Sequence, residues 1–233
     1  MVSQVVVVAL PTEDQLPYDD GMPMESQRHV LQMQLLEETL SAHWAERNDV
    51  FIGTNMFVYF SAEQVRGKEF RGPDVFVVQG VPMRERKSWV VWEEGKGPDV
   101  VIELLSETTA DMDRGEKKRV YQDQLRVPEY FWYDPFSGEL AGFALTDRTY
   151  QGIEPDEQGR LVSRALGLAL VRWAGSYRNV AATWLRWATL EGPLLPTGGE
   201  LAAAAGERAE QERQRGDRLA ARLRRLGIDP DEP

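Results

Sequence analysis

A single acidic residue inside an apolar segment constrains this chain more than any other feature. Residues 98–106 read Pro-Asp-Val-Val-Ile-Glu-Leu-Leu-Ser, and the β-branched and apolar content of 100–105 predicts a strand buried on both faces. Glu103 lies within that strand. An ionised carboxylate is costly there unless a cation, hydrogen bonds or water replace its lost hydration. The sequence therefore predicts that Glu103 faces a metal ion, a basic side chain or a water-filled cleft.

A second carboxylate, Asp74, stands at the mouth of another apolar strand, Val75–Val78. If the two strands pair, Asp74 lies near the end of the sheet that carries Glu103. A hard divalent cation such as Mg²⁺ prefers oxygen ligands and keeps several waters, so two carboxylates and the backbone carbonyl of Leu104 would suffice to hold it. Such a cation activates water and neutralises phosphate charge, which indicates a site for phosphodiester cleavage.

A basic helix follows the Glu103 strand and supplies the third candidate, Lys117. At about 100° per residue, Lys117 lies within about 80° of Val120, Tyr121 and Leu125, the inward face of that helix. Lys118 is predicted to point toward solvent. The role expected for Lys117 is to orient the attacking water and to contact the scissile phosphate.

Each of these residues also has a purely structural interpretation. A Glu–Lys pair can be a structural ion pair without function. An aspartate that follows a proline at a strand entry often only forms a turn, and this applies to Asp74, Asp99 and Asp134.

Composition narrows the classes of function. The chain has 27 basic and 38 acidic residues, a net charge of −11, which argues against a protein that coats nucleic acid but not against a nuclease with local contacts. It has no cysteine, which excludes disulfides and thiolate metal sites, and its only histidines, His29 and His43, argue against a multi-histidine zinc site. The short apolar start lacks a secretory pattern and no segment reaches membrane-spanning length, so we expect a cytoplasmic protein.

Two domains are expected, residues 1–195 and residues 196–233. In the first, Ser26 is the expected N-cap of a helix from about Gln27 to Glu46, followed by strands, and residues 166–190 should complete the core. In the second, a Pro- and Gly-rich linker leads into a charged helix over 200–226. Its leucine edge, which comprises Leu219, Leu223 and Leu226, is too short for a long coiled coil. This edge is expected to pack either on the core or on a partner subunit, and of the two a small self-association surface, as in a homodimer, is preferred.

An ordered series of motifs resembles the Uma-type putative restriction endonuclease family of the PD-(D/E)XK nuclease superfamily. The resemblance covers about residues 20–175 and rests on Pro73-Asp74, residues 98–106, Asp113-Arg114-Gly115-Glu116-Lys117, Tyr121 and residues 127–135. It implies an α/β fold, a restriction-endonuclease-like mixed central sheet flanked by helices, to which the C-terminal helix is an extension.

The resemblance also implies site residues and a reaction. Asp74 matches the first carboxylate of the nuclease motif and Glu103 the second, whereas the lysine expected two residues after Glu103 is Leu105 and Lys117 takes its place. Less specifically, Glu25 and His29 match an N-terminal region that lines the site. The implied activity is DNA cleavage by an endonuclease that uses Mg²⁺ or Mn²⁺. The alternative is a non-catalytic protein on a nuclease fold that acts through its C-terminal helix.

Overall fold

The structure is a computed structural model that describes residues 10–12, 15–16, 26–61, 72–106 and 110–226. Four helical regions occur in the described part: α1 (Gln27–His43), α2 (Val91–Glu94), α3 (residues 110–125) and α4 (Gly198–Arg225). The strands are β1 (Val50–Thr54), β2 (Val58–Tyr59), β3 (Val75–Gln79), β4 (Trp89–Val90), β5 (Val100–Leu104), β6 (Glu129–Tyr133), β7 (Leu140–Thr146), β8 (Thr149–Gly152), β9 (Leu161–Ser163), β10 (Leu168–Tyr177) and β11 (Val180–Thr189). None of the helices in these ranges is long and apolar enough to cross a membrane.

The central sheet has six strands in the order β1-β3-β5-β6-β7-β8. Strands β5 and β6 run parallel, and the other neighbours are antiparallel. The mixed central sheet that the family resemblance implies is therefore confirmed. Its two central strands, β5 and β6, are buried along their whole length, as the near-continuous apolar composition of both segments predicts.

Each face of the sheet has its own apolar layer, because side chains alternate along a strand. On one face, Val100, Ile102 and Leu104 join a cluster that includes Leu36 of α1 and Trp187 of β11. The three-stranded sheet β11-β10-β9 contributes to the same layer, so residues 166–190 complete the core as predicted, and they do so as strands.

On the other face, Val101 and Leu105 pack with Tyr121 of α3 and Tyr130 of β6. Glu103 belongs to this second face by alternation, as the sequence predicts. The carboxylate of Glu103 is thus directed at α3, in an otherwise apolar and aromatic layer.

One element boundary differs from the sequence-based expectation, and another is set by the structure. Helix α1 begins after the Ser26 cap but ends at His43, before the expected Glu46. Residues 88–92, whose sequence is compatible with a strand or with the edge of a loop, pair with β2 only at Trp89–Val90, and the chain then makes one helical turn. Gly95 ends that turn with φ +72°, a conformation that glycine adopts without a Cβ penalty.

Cα proximity divides the chain into two units, Met1–Leu195 and Pro196–Pro233. The second unit contains α4, which begins at a capping box in which Thr197 and Glu200 satisfy each other's backbone N–H groups. Independent folding of each unit stays a prediction.

Candidate active site

Both carboxylate oxygens of Glu103 contact side chains of α3, and Glu103 has no exposed surface. The hydroxyl of Tyr121 donates to Oε1 at 2.6 Å, and the ammonium Nζ of Lys117 donates to Oε2 at 3.2 Å. Of the compensations that the sequence requires for a buried carboxylate, the structure thus provides a basic side chain and a hydrogen bond.

Lys117 contacts a second buried acid, Asp113. The Nζ of Lys117 lies 2.8 Å from Oδ1 of Asp113, one helical turn earlier, and the Asp113 side chain is 1% exposed. Asp113 is not among the site residues predicted from the sequence. The available signal was its i,i+4 spacing from Lys117, which places the two side chains on one side of a helix.

Helix α3 is a series of α and π segments, and this irregularity aligns the three residues that surround Glu103. In an α-helix a four-residue step advances about 400°, slightly more than a turn, whereas the wider π turn makes the same step fall short of a turn. Alternation between the two therefore keeps Asp113, Lys117 and Tyr121 in one row. The segments are Ala110–Met112 (α), Asp113–Lys117 (π), Lys118–Val120 (α) and Tyr121–Leu125 (π).

Asp74 reaches the same end of the sheet from β3. Antiparallel pairing of Val75 with Ile102 places Asp74 beside the end of β5, and Oδ2 of Asp74 accepts a 2.6 Å hydrogen bond from the backbone N–H of Leu104. Its carboxylate therefore lies at the peptide that follows Glu103. Because the N–H and C=O of one strand residue point to the same side, the Leu104 carbonyl faces the side on which Asp74 lies.

In the part of this cluster that the structure describes, acidic side chains outnumber basic ones. Burial raises the pKa of Glu103 well above its usual range, Lys117 and the Tyr121 hydrogen bond oppose that rise, and the charges of Asp74 and Asp113 add to it. Burial alone would lower the pKa of Lys117, but Glu103, Asp113 and Asp74 outweigh burial and raise that pKa well above its usual range. Among the described residues, three acidic side chains thus lie around the Lys117 ammonium group, which stays protonated.

This donor set fits a hard divalent cation. The carboxylates of Asp74 and Glu103 and the carbonyl of Leu104 are oxygen donors of the kind that Mg²⁺ and Mn²⁺ prefer, and a divalent charge would offset the excess of carboxylates. Among the described side chains, no group of three or more histidines and acids is placed to hold a metal unaided. The backbone carbonyl and water molecules would have to complete the coordination.

His29 supports the end of β5. Its Nε2 lies 3.0 Å from the carbonyl oxygen of Leu105, which only accepts, so Nε2 is the donor of this hydrogen bond. Its Nδ1 lies 2.7 Å from the Ser26 hydroxyl. The His29 side chain is buried, and it anchors the strand two residues after Glu103. Glu25, the other residue of this region, lies outside the described residues.

The remaining candidates lie elsewhere. The carboxylate of Asp99, at the start of β5 and thus at the opposite end of the sheet, accepts from Nζ of Lys96 and from the backbone N–H of Gln79, both at 2.7 Å.

Lys118 does not point into solvent, because its Nζ lies 3.2 Å from the centre of the Phe143 ring, and burial lowers its pKa. The prediction of a solvent-directed Lys118 is wrong, since β7 extends the sheet beneath this part of α3.

The chain is similar to a known protein family and to a solved structure. The model of the Uma2 family, described as putative restriction endonuclease, matches residues 9–176. A crystal structure of a putative nuclease belonging to DUF820 from Anabaena variabilis is similar over 67% of this chain and 90% of that chain, with 14% sequence identity and a TM-score of 0.46. No curated protein matches the chain. Since the family model covers well over half of its residues, the chain belongs to the Uma2 family of putative restriction endonucleases.

Proposed function

We propose that this protein is a metal-dependent endonuclease that hydrolyses phosphodiester bonds in DNA. The observation that carries the proposal is the position of Asp74 at the peptide after Glu103, with Lys117 between the Glu103 and Asp113 carboxylates. Membership in a family of putative restriction endonucleases supports the same reaction class.

The roles follow from the contacts. Asp74, Glu103 and the Leu104 carbonyl would hold Mg²⁺ or Mn²⁺, which supplies positive charge for the phosphate and lowers the pKa of a water. Lys117 keeps its proton because of its acidic neighbours, so it acts as a charged hydrogen-bond donor to phosphate or water and not as a general base. Tyr121 and Lys117 hold the Glu103 carboxylate in one orientation.

The test is cleavage of supercoiled and linear DNA with Mg²⁺ or Mn²⁺. Asp74→Ala and Glu103→Ala should each abolish metal-dependent cleavage and leave a folded protein. Asp99→Ala is the matched control, because Asp99 lies at the other end of the same sheet in a contact with Lys96. Cleavage at the wild-type rate by either site variant would overturn the proposal.

Metal binding provides a second measurement that does not depend on turnover. Titration calorimetry with Mn²⁺ should detect a site in the wild type and in Asp99→Ala that is lost in Glu103→Ala. Loss of cleavage without loss of Mn²⁺ binding would show that Glu103 is not a metal ligand.

A non-catalytic role remains as the second candidate, because the buried cluster is already ion-paired without a metal. Lys117 contacts both Glu103 and Asp113. In that case the chain would act through α4, whose leucine edge could contact a partner or a second copy in a homodimer. Absence of both Mn²⁺ binding and DNA cleavage in the wild type would favour this role.

A further inference from the structure

Helix α4, described by itself, is 28 residues long and has no buried residue. Its charge is distributed unevenly along its length, since acidic residues dominate the first half and arginines the second. The first half, 198–211, has three acids (Glu200, Glu207 and Glu210) and one arginine (Arg208). The second half, 212–225, has two acids (Glu212 and Asp217) and six arginines (Arg213, Arg215, Arg218, Arg222, Arg224 and Arg225).

Four of these arginines form one face. Arg215, Arg218, Arg222 and Arg225 follow each other at spacings of three, four and three, so they lie within an arc of about 80° on the helix surface. The side chains are exposed and extend along about 15 Å of helix. The nearby acids Glu210, Glu212 and Asp217 lie outside this arc, which we call the arginine face.

Ion pairs within the helix do not account for the arginine face. Arg213, on another side of the helix, contacts Glu210 at 2.8 Å and Asp217 at 3.3 Å. Within the described ranges, the one ion pair of Arg215 is an exposed contact of 3.8 Å with Glu212, and such pairs contribute little. Arg218, Arg222 and Arg225 form no ion pair with any residue in the described ranges.

The helix dipole explains only part of the pattern. Cations are stabilising in the last turn of a helix, which accounts for Arg222, Arg224 and Arg225 at the end of α4. The effect fades within that turn and does not select one side of the helix. It therefore leaves Arg215 and Arg218, and their alignment with the other two, without a reason.

We propose that the arginine face binds the phosphate backbone of duplex DNA. The planar guanidinium group suits phosphate, and a row of four presents a positive edge to a polyanion. The chain as a whole carries a net charge of −11, which opposes binding to DNA, so attraction at the arginine face is local and sensitive to salt. The choice of DNA as the partner rests on the proposed nuclease function.

The test measures equilibrium binding of a short DNA duplex to the full chain in chelator, at several salt concentrations. The logarithm of the observed association constant falls linearly with the logarithm of the salt concentration, and each lost phosphate contact should reduce the magnitude of this slope by about one. We therefore expect Arg218→Gln/Arg222→Gln to reduce the slope by about two. The control Arg213→Gln/Arg224→Gln changes the net charge equally on the other side of α4 and should leave the slope unchanged. Circular dichroism should show equal helix content in both double variants.

Equal slopes for the two double variants, or a wild type that does not bind the duplex, would overturn the inference. The inference would also be overturned if the wild type bound phosphatidylserine vesicles and Arg218→Gln/Arg222→Gln alone lost that binding, while its salt slope for DNA stayed unchanged. Cleavage is measured separately with Mg²⁺. If the slopes are as expected but the protein cleaves no DNA, the inference is supported and the nuclease proposal is contradicted. If the protein cleaves DNA but the two double variants have equal slopes, the nuclease proposal is supported and the inference is contradicted.

Discussion

The hydroxyl of Tyr121 donates a 2.6 Å hydrogen bond to Oε1 of Glu103, and both side chains are fully buried. Burial and the neighbouring charge of Glu103 raise the pKa of Tyr121 well above its usual range, so the phenol remains a donor at neutral pH. The orientation of the Glu103 carboxylate therefore depends on a hydroxyl that keeps its proton at neutral pH.

Tyr121→Phe should lower the free energy of unfolding by about 1–3 kcal/mol, since a buried carboxylate loses a donor. The lost bond favoured the ionised form, so the pKa of Glu103 should rise and the acidic limb of the pH–activity profile should move to higher pH. Urea denaturation and pH–rate profiles measure the two effects. Tyr150→Phe is the control, because its hydroxyl donates to the Val127 carbonyl, and its acidic limb should not move.

Lys117→Ala should lose far more DNA cleavage than Lys118→Ala. Lys117 holds two buried carboxylates, whereas Lys118 packs on the Phe143 ring, a cation–π contact worth about 0.5–2 kcal/mol. Cleavage rates and thermal melts of both variants provide the comparison. Mn²⁺ affinity should change little in either variant, because lysine is not a ligand. Equal cleavage rates would contradict the role proposed for Lys117.

Acid should weaken the pair of Arg86 and Glu94, which lies away from the candidate site. The Arg86 side chain has no exposed surface, and its hydrogen bonds hold the pKa of Glu94 below its ordinary 4.5. The native carboxylate thus binds a proton less readily than the unfolded one, so the pair contributes stability above about pH 4.5 that is lost as pH falls through the folded pKa.

Glu94→Gln should therefore cost about 3–5 kcal/mol at pH 7, because it leaves the buried Arg86 unpaired, and much less in acid. Denaturant unfolding between pH 3 and pH 7 measures the difference. Glu93→Gln, on the same helical turn but exposed, is the control. A loss for Glu94→Gln that is independent of pH would refute the linkage.

Truncation after Thr197 should leave a soluble protein that melts cooperatively. The last contacts of the first unit precede that point: Leu195 is 2% exposed and its carbonyl accepts from Arg186 at 2.7 Å. Truncation after Gly192 should be clearly destabilising, because it removes Leu195 and the bridge between Ala188 and Leu194. Thermal melts of the two truncated proteins measure the difference in stability. An insoluble product from truncation after Thr197 would show that the domain boundary lies elsewhere.

The sequence predicted the local features of the site well. The alternation of 100–105 assigned Glu103 to one face of a strand, and the helical spacing after it assigned Lys117 to the inward side of α3. The sequence did not indicate Asp113 as a site residue, because acidic residues near the start of a helix are common on protein surfaces. The burial of its side chain, which only the structure shows, distinguishes Asp113 from such residues.

By itself, the sequence determined the strand that carries Glu103, the helix that follows it and which carboxylate must be compensated, because alternation and apolar content are properties of adjacent residues. The tertiary structure alone decided what compensates it. Glu103 meets Lys117 across 14 positions, and Asp74 meets Leu104 across 30, through strand pairing and the packing of α3 on the sheet. Local propensities do not specify such pairings, since they depend on how all the apolar faces are buried together.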